Sequence, residues 1–117
     1  MKVMIVAESG FLKDLCLNQS IDSEHLYGQV DNNLITIAIP EYAFVETDGG
    51  LQQQYRNQRA RLQETANFAN ELGRSRKLQP TADQLKRLVA QLQNRIDEGS
   101  ASVKTVLEDI RHVCLTI

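Results

Sequence analysis

Two carboxylates, Glu8 and Glu46, each follow an apolar run of strand character. Met1-Lys2-Val3-Met4-Ile5-Val6-Ala7 precedes Glu8-Ser9-Gly10, and Leu34-Ile35-Thr36-Ile37-Ala38-Ile39 leads through Pro40-Glu41 to Glu46. In an open α/β sheet, ligands bind outside the carboxyl ends of the strands. Carboxylate oxygens delivered there suit a hard divalent cation, so Mg²⁺ or Mn²⁺ is the expected cofactor, with Glu8 and Glu46 as its ligands. Other chemistries find less support. His25 and His112 stand alone, without an HxH or HExxH pairing, and read as surface or helix-end histidines. Cys16 and Cys114 lack CxxC spacing and read as buried thiols among apolar neighbours. No nucleophile elbow occurs, and Gly49-Gly50 lacks the Lys-Ser/Thr that would make a phosphate loop. Glu41 and Asp48 stand five and two residues from Glu46, off its helix face, and Glu41 suits the helix N-terminus.

The elements that must position the two acids follow from apolar spacing. The first strand is expected over Lys2 to Ala7, apolar on both faces as a buried parallel strand is. Ser9 offers an N-cap for a short helix, Phe11 to Leu17, and Ser20 or Asp22 caps a second that reaches Val30. Asp31-Asn32-Asn33 turns into the second strand, Leu34 to Ile39, and two strands joined through helices imply a parallel pair. Pro40 precedes a helix from Glu41 that Gly49-Gly50 is expected to kink or end. A longer helix then shows a thin stripe of Leu51, Tyr55, Leu62, Ala66, Ala69 and Leu72 and stops at Gly73. After a polar, cationic connection to Pro80, Thr81 and Gln84 form a capping box for the last helical region. Leu85, Leu88, Val89, Leu92 and Ile96 recur at helical spacing, and after a break at Gly99-Ser100 the pattern resumes with Val103, Val106, Leu107 and Ile110. Val113 to Ile117 is a third apolar run. The fold class is therefore α/β, a short parallel sheet of about three strands flanked by helices, with a long helical hairpin.

Composition sets the class. The 117 residues read as one soluble domain, with no run near the roughly 20 apolar residues of a membrane span and no secretory leader, so no membrane partner and a cytoplasmic location are expected. Charge is unevenly distributed. Residues 1 to 48 carry two cations against eight acids, residues 49 to 80 six cations against two acids, and the remainder balances. An acidic pocket beside a basic helix is what a metal-dependent enzyme acting on a polyanion requires, since carboxylates hold the metal while cations hold the phosphates. Arg56, Arg59, Arg74, Arg76 and Lys77 are the candidate nucleic-acid contacts, and a solvated arginine-rich helix face explains them equally well.

Ile5-Val6-Ala7-Glu8-Ser9-Gly10-Phe11-Leu12 and Ile37-Ala38-Ile39-Pro40-Glu41-Tyr42-Ala43-Phe44-Val45-Glu46 resemble the two acidic motifs of the PIN-domain nuclease family, the second more closely. The best-known bacterial members are the ribonuclease toxins of toxin–antitoxin pairs. The resemblance implies a PIN-like fold, a metal-dependent ribonuclease acting on RNA phosphodiesters, Glu8 and Glu46 as catalytic metal ligands, and Ser9 and Asp14 as supporting residues. The family's first acid is an Asp where this chain has Glu8, and the acids that follow its third and fourth strands would lie beyond Ile117. Residues 1 to 117 thus read as a single PIN-like domain without the C-terminal part of the family fold. A single weakly held ion and weak or no cleavage are expected.

Two further readings stand beside this one. In the first, the hairpin of residues 51 to 112 makes the chain a non-catalytic interaction protein, although packing within the hairpin explains its leucine stripe better. In the second, the chain is a shortened gene product whose missing end completes the site. On the resemblance's strand order one edge of the first strand stays open, so a homo-oligomer or a protein partner covering that edge is expected.

Overall fold

The computed structural model describes residues 3 to 117, the side chain of Asp31 excepted, so Lys2 lies outside the described residues. The chain divides into two compact units, Met1–Leu51 with Ala101–Ile117, and Gln52–Ser100.

The first unit holds a three-stranded parallel sheet in the order β1 (Val3–Val6), β2 (Ile35–Ile39), β3 (Leu115–Thr116). The register sets Val3 against Ile35 and Val6 against Ala38, while Ala38 and Ile39 face Leu115 and Thr116. Only β2 is paired on both sides, and it supplies Ile37, Ala38 and Ile39 to the core with Leu12, Ala43, Phe44, Val103, Leu107 and Ile110. β1 corrects the expectation of a buried strand. Val3, Met4 and Val6 are 60%, 61% and 62% exposed, and since successive residues point to opposite faces, both faces of β1 are left largely uncovered.

Two short helices connect β1 to β2. In α1 (Ser9–Leu17) the N-cap is Glu8, so the expected cap Ser9 is the first helical residue instead. Asn18 closes α1 in the left-handed conformation, φ 53°, which asparagine tolerates better than most residues. Ser20 caps α2 (Ile21–Asp31) as expected, its hydroxyl accepting the Ser23 amide at 3.2 Å. The β3 backbone also serves α3 (Glu41–Leu72), since the Ile117 carbonyl accepts the Glu41 amide at 2.8 Å. This satisfies one of the amide groups that a helix start leaves without an intrahelical partner.

Neither Gly49-Gly50 nor Gly99-Ser100 interrupts its helix. α3 runs through Gly49-Gly50, and α4 (Gln79–Val113) runs through Gly99-Ser100, beginning two residues before the expected cap at Thr81. Propensity alone disfavours these glycines, and packing along the rest of each helix overrides it.

The second unit is a helical hairpin, residues 52–72 of α3 against residues 79–100 of α4. Gln52 and Ser100 bond reciprocally at 2.7 and 3.1 Å, and Arg59 pairs with Asp97 at 3.0 Å. Its buried positions are few and mostly small: Tyr55, Ala69 and Ala82. The seam on α4 uses Leu85, Val89 and Ile96, which are half-buried, whereas Leu88 and Leu92 are 55% and 52% exposed. Packing within the hairpin therefore explains only part of the leucine stripe, because Leu88 sits about 100° around the helix from Val89.

Candidate functional site

Because β1 and β2 are parallel, the segments leaving them emerge at the same end of the sheet. The Ala7 amide extends the ladder by one bond to the Ala38 carbonyl, 2.9 Å, and Glu8 follows at once. Glu8 has extended backbone, φ −124°, and its carboxylate makes no capping bond to α1. It accepts instead from the Tyr42 hydroxyl at 3.2 Å.

Tyr42 lies four residues before Glu46 on α3, hence on the same helix face. Its phenol is held above the usual tyrosine range by the hydrogen bond to Glu8, by the Glu8 charge, by partial desolvation and by the Glu46 charge. The neutral phenol donates that bond and an ionised one could not, which is the first cause of the shift, and the carboxylate charges add to it. Of the two acids, Glu8 alone is hydrogen-bonded to that hydroxyl. Glu46 also lines a cleft of about 280 Å³ with Ser9, Gly10, Lys13, Thr47 and Leu51. Thr47 is buried and donates to the Ser9 carbonyl at 3.5 Å, a long bond that ties α3 to the start of α1.

The donor set is small. Among the described residues, no group of three or more His, Cys, Asp or Glu side chains is placed to hold a metal ion. Two carboxylates nevertheless suit a hydrated Mg²⁺, which keeps several waters and is held through one or two carboxylates together with substrate phosphate. Lys13, on the same cleft as Glu46, brings a cation that phosphate oxygens would accept.

The remaining residues singled out from sequence are placed as follows. Ser9 lines the cleft beside Glu46. Asp14 accepts the Ser23 hydroxyl at 3.2 Å, which links α1 to α2. Glu41 engages Arg111 through two bonds of 2.6 and 2.7 Å, and the Arg111 guanidinium lies 4.2 Å over the Phe44 ring. Cys16 is half-buried, so the expected burial holds for Cys114 alone, and desolvation and then the Asp48 charge push the Cys16 thiol up to about 11. In the second unit Arg56 donates to Gln53 at 2.7 Å and Arg59 is paired with Asp97, whereas Arg74, Arg76 and Lys77 are exposed and free of ion pairs among the described residues. Sequence reasoning missed Tyr42 and Lys13. The four-residue spacing from Tyr42 to Glu46 was the available signal for the first, and only the approach of α1 to α3 reveals the second. No helix of the described residues is long and apolar enough to cross a membrane. No family model matches the chain, and neither a curated protein nor a solved structure matches it.

Proposed function

We propose that the first unit is a PIN-like phosphodiesterase site of low activity directed at RNA, with Glu8 and Glu46 as ligands of one hydrated Mg²⁺ or Mn²⁺. The observation that carries this reading is geometric: Glu8 follows the carboxyl end of β1 and accepts from Tyr42 of α3, and Glu46 stands one helical turn beyond Tyr42 on the same face of α3. When bound, the ion would supply an activated water and neutralise developing phosphate charge. Tyr42 orients the Glu8 carboxylate through its hydroxyl, and Lys13 offers its ammonium to a phosphate entering the cleft beside Glu46. Charge supports a polyanionic substrate: the first unit carries four cations against ten acids, the second nine cations against five acids.

The test uses the full chain with Mn²⁺ binding and RNA cleavage measured side by side. Weak Mn²⁺ binding abolished by Glu46→Gln and reduced by Glu8→Gln is expected, with slow Mg²⁺-dependent cleavage that follows the same order. Mn²⁺ binding indifferent to both substitutions would sink the proposal.

A second reading, an interaction protein, draws on the exposed apolar side chains of β1 and on Leu88 and Leu92 of α4. In that reading a second copy or a protein partner covers the free edge of β1.

A further inference from the structure

We infer that the tip of the hairpin, Arg74 to Arg87, binds the phosphate backbone of folded RNA without reading its bases. The choice of RNA rests on the proposed function, whereas the anion chemistry stands on the hairpin alone.

The second unit's excess of four positive charges sits entirely in this segment. Arg74, Arg76, Lys77, Lys86 and Arg87 face one acid there, Asp83, while the rest of the unit sets Arg56, Arg59, Arg61 and Arg95 against Glu64, Glu71, Asp97 and Glu98. Pairing follows the same division in part, for Arg61, outside the tip, has no ion pair among the described residues. Arg59 and Arg95 are bonded to Asp97 and Glu98, and Arg56 to Gln53, but no cation of the tip forms an ion pair among the described residues. All five tip cations are exposed. The charges are therefore available to a ligand at little cost in broken protein contacts.

The tip also has a shape. Arg76, from the turn, and Arg87, from the third turn of α4, line one cleft of about 400 Å³ with Gln79, Pro80, Asp83 and Gln84. Two guanidiniums and two amides offer planar, bidentate donors suited to phosphate oxygens. Asp83, on the same cleft, is the one lining acid and opposes anion binding there.

The residue types decide between backbone and base recognition. From Arg74 to Arg87 there is no Phe, Tyr, Trp or His, so no ring is present on which an unpaired base could stack. Single-strand binders rely on such rings, whereas duplex RNA presents regularly spaced phosphates to cations. The chemistry thus favours folded, base-paired RNA and a strongly salt-dependent affinity.

The experiment measures binding of the full-length Glu46→Gln protein to a fluorescent RNA duplex in EDTA, across a range of salt concentrations. The tip variant Arg76→Gln/Arg87→Gln is expected to lose at least tenfold in affinity and to lower the salt slope by about one or two, roughly one for each phosphate contact removed. Arg56→Gln/Arg59→Gln should change affinity less than twofold. Thermal unfolding coincident with the parent protein would show that both variants fold. Equal losses in the two double variants, an unchanged tip variant, or binding to anionic phospholipid vesicles in place of RNA would overturn the inference. Cleavage is scored separately in Mg²⁺ with Glu46 intact, so an inactive protein that still binds duplex through the tip would refute only the catalytic reading.

Discussion

At the residue scale, the acids of this chain divide by partner. Glu8 and Glu46 are left to a tyrosine hydroxyl and a cleft, whereas Glu41 is consumed by Arg111. The consequence of the second arrangement is a pH dependence. The Arg111 hydrogen bond and charge hold the Glu41 carboxyl below the ordinary glutamate range. A carboxyl depressed in the folded state binds fewer protons there than in the unfolded chain. Its stabilising contribution is therefore complete above the ordinary glutamate value and is lost as pH falls through the depressed one. Glu41→Gln is expected to flatten the acid limb of a stability profile measured by denaturant titration, with no change near neutral pH in its slope. Exposure of the pair keeps the effect small. From sequence, Glu41 was legible only as a residue near a helix start, because Arg111 lies seventy positions away and no local pattern pairs them.

At the element scale, an apolar run between Asn33 and Pro40 marks β2 to within a residue at each end, and the end of β1 falls one residue before the expected Ala7. The helices were harder. Gly49-Gly50 and Gly99-Ser100 read as breaks because local propensity is all a sequence window offers, yet both lie inside continuous helix. The glycines then differ in what surrounds them. A Cβ at Gly49 or Gly50 would meet nothing within 4 Å, but one at Gly99 would stand 2.8 Å from the Tyr55 hydroxyl oxygen and 3.1 Å from its Cζ. Gly49→Ala and Gly50→Ala should each stabilise the protein by roughly 0.5 to 1 kcal/mol. Gly99→Ala should instead cost roughly 1 to 3 kcal/mol, since buried Tyr55 must move. Urea unfolding of the three variants checks the opposite signs, and a stabilising Gly99→Ala would show that Tyr55 is free to shift. Leu88 and Leu92 show the same limit of sequence patterns: helical spacing identified an apolar stripe but not which of its members face the partner helix.

At the scale of the whole molecule, the uneven charge was legible by counting, while its meaning needed the division into units. Counts over residues 49 to 80 and 81 to 117 divide the cations of Arg74 to Arg87 between two groups, and only the bounds of the hairpin bring them into one segment. The edge of the sheet carries the remaining prediction. β1 exposes Val3, Met4 and Val6 and offers unpaired backbone groups, with no proline in the strand to block pairing. Such an edge is a template for another chain. Sedimentation should reveal concentration-dependent self-association that Met4→Lys weakens, and a monomer at every concentration would show the edge to be harmless.

The reciprocal bonds between Gln52 and Ser100 bear on how the chain reaches this structure. The first unit is assembled from two segments, with 49 residues between Leu51 and Ala101. Closing a flexible loop of that length costs about 3 kcal/mol by the logarithmic rule, beyond the constant for any closure. A hairpin formed first delivers Leu51 and Ala101 close together and removes most of that barrier. Local contacts then precede distant ones, and we predict that Ala69→Gly, in the second unit, slows folding of the sheet in the first. Stopped-flow refolding decides the order, for a substitution that only quickens unfolding would place the hairpin last.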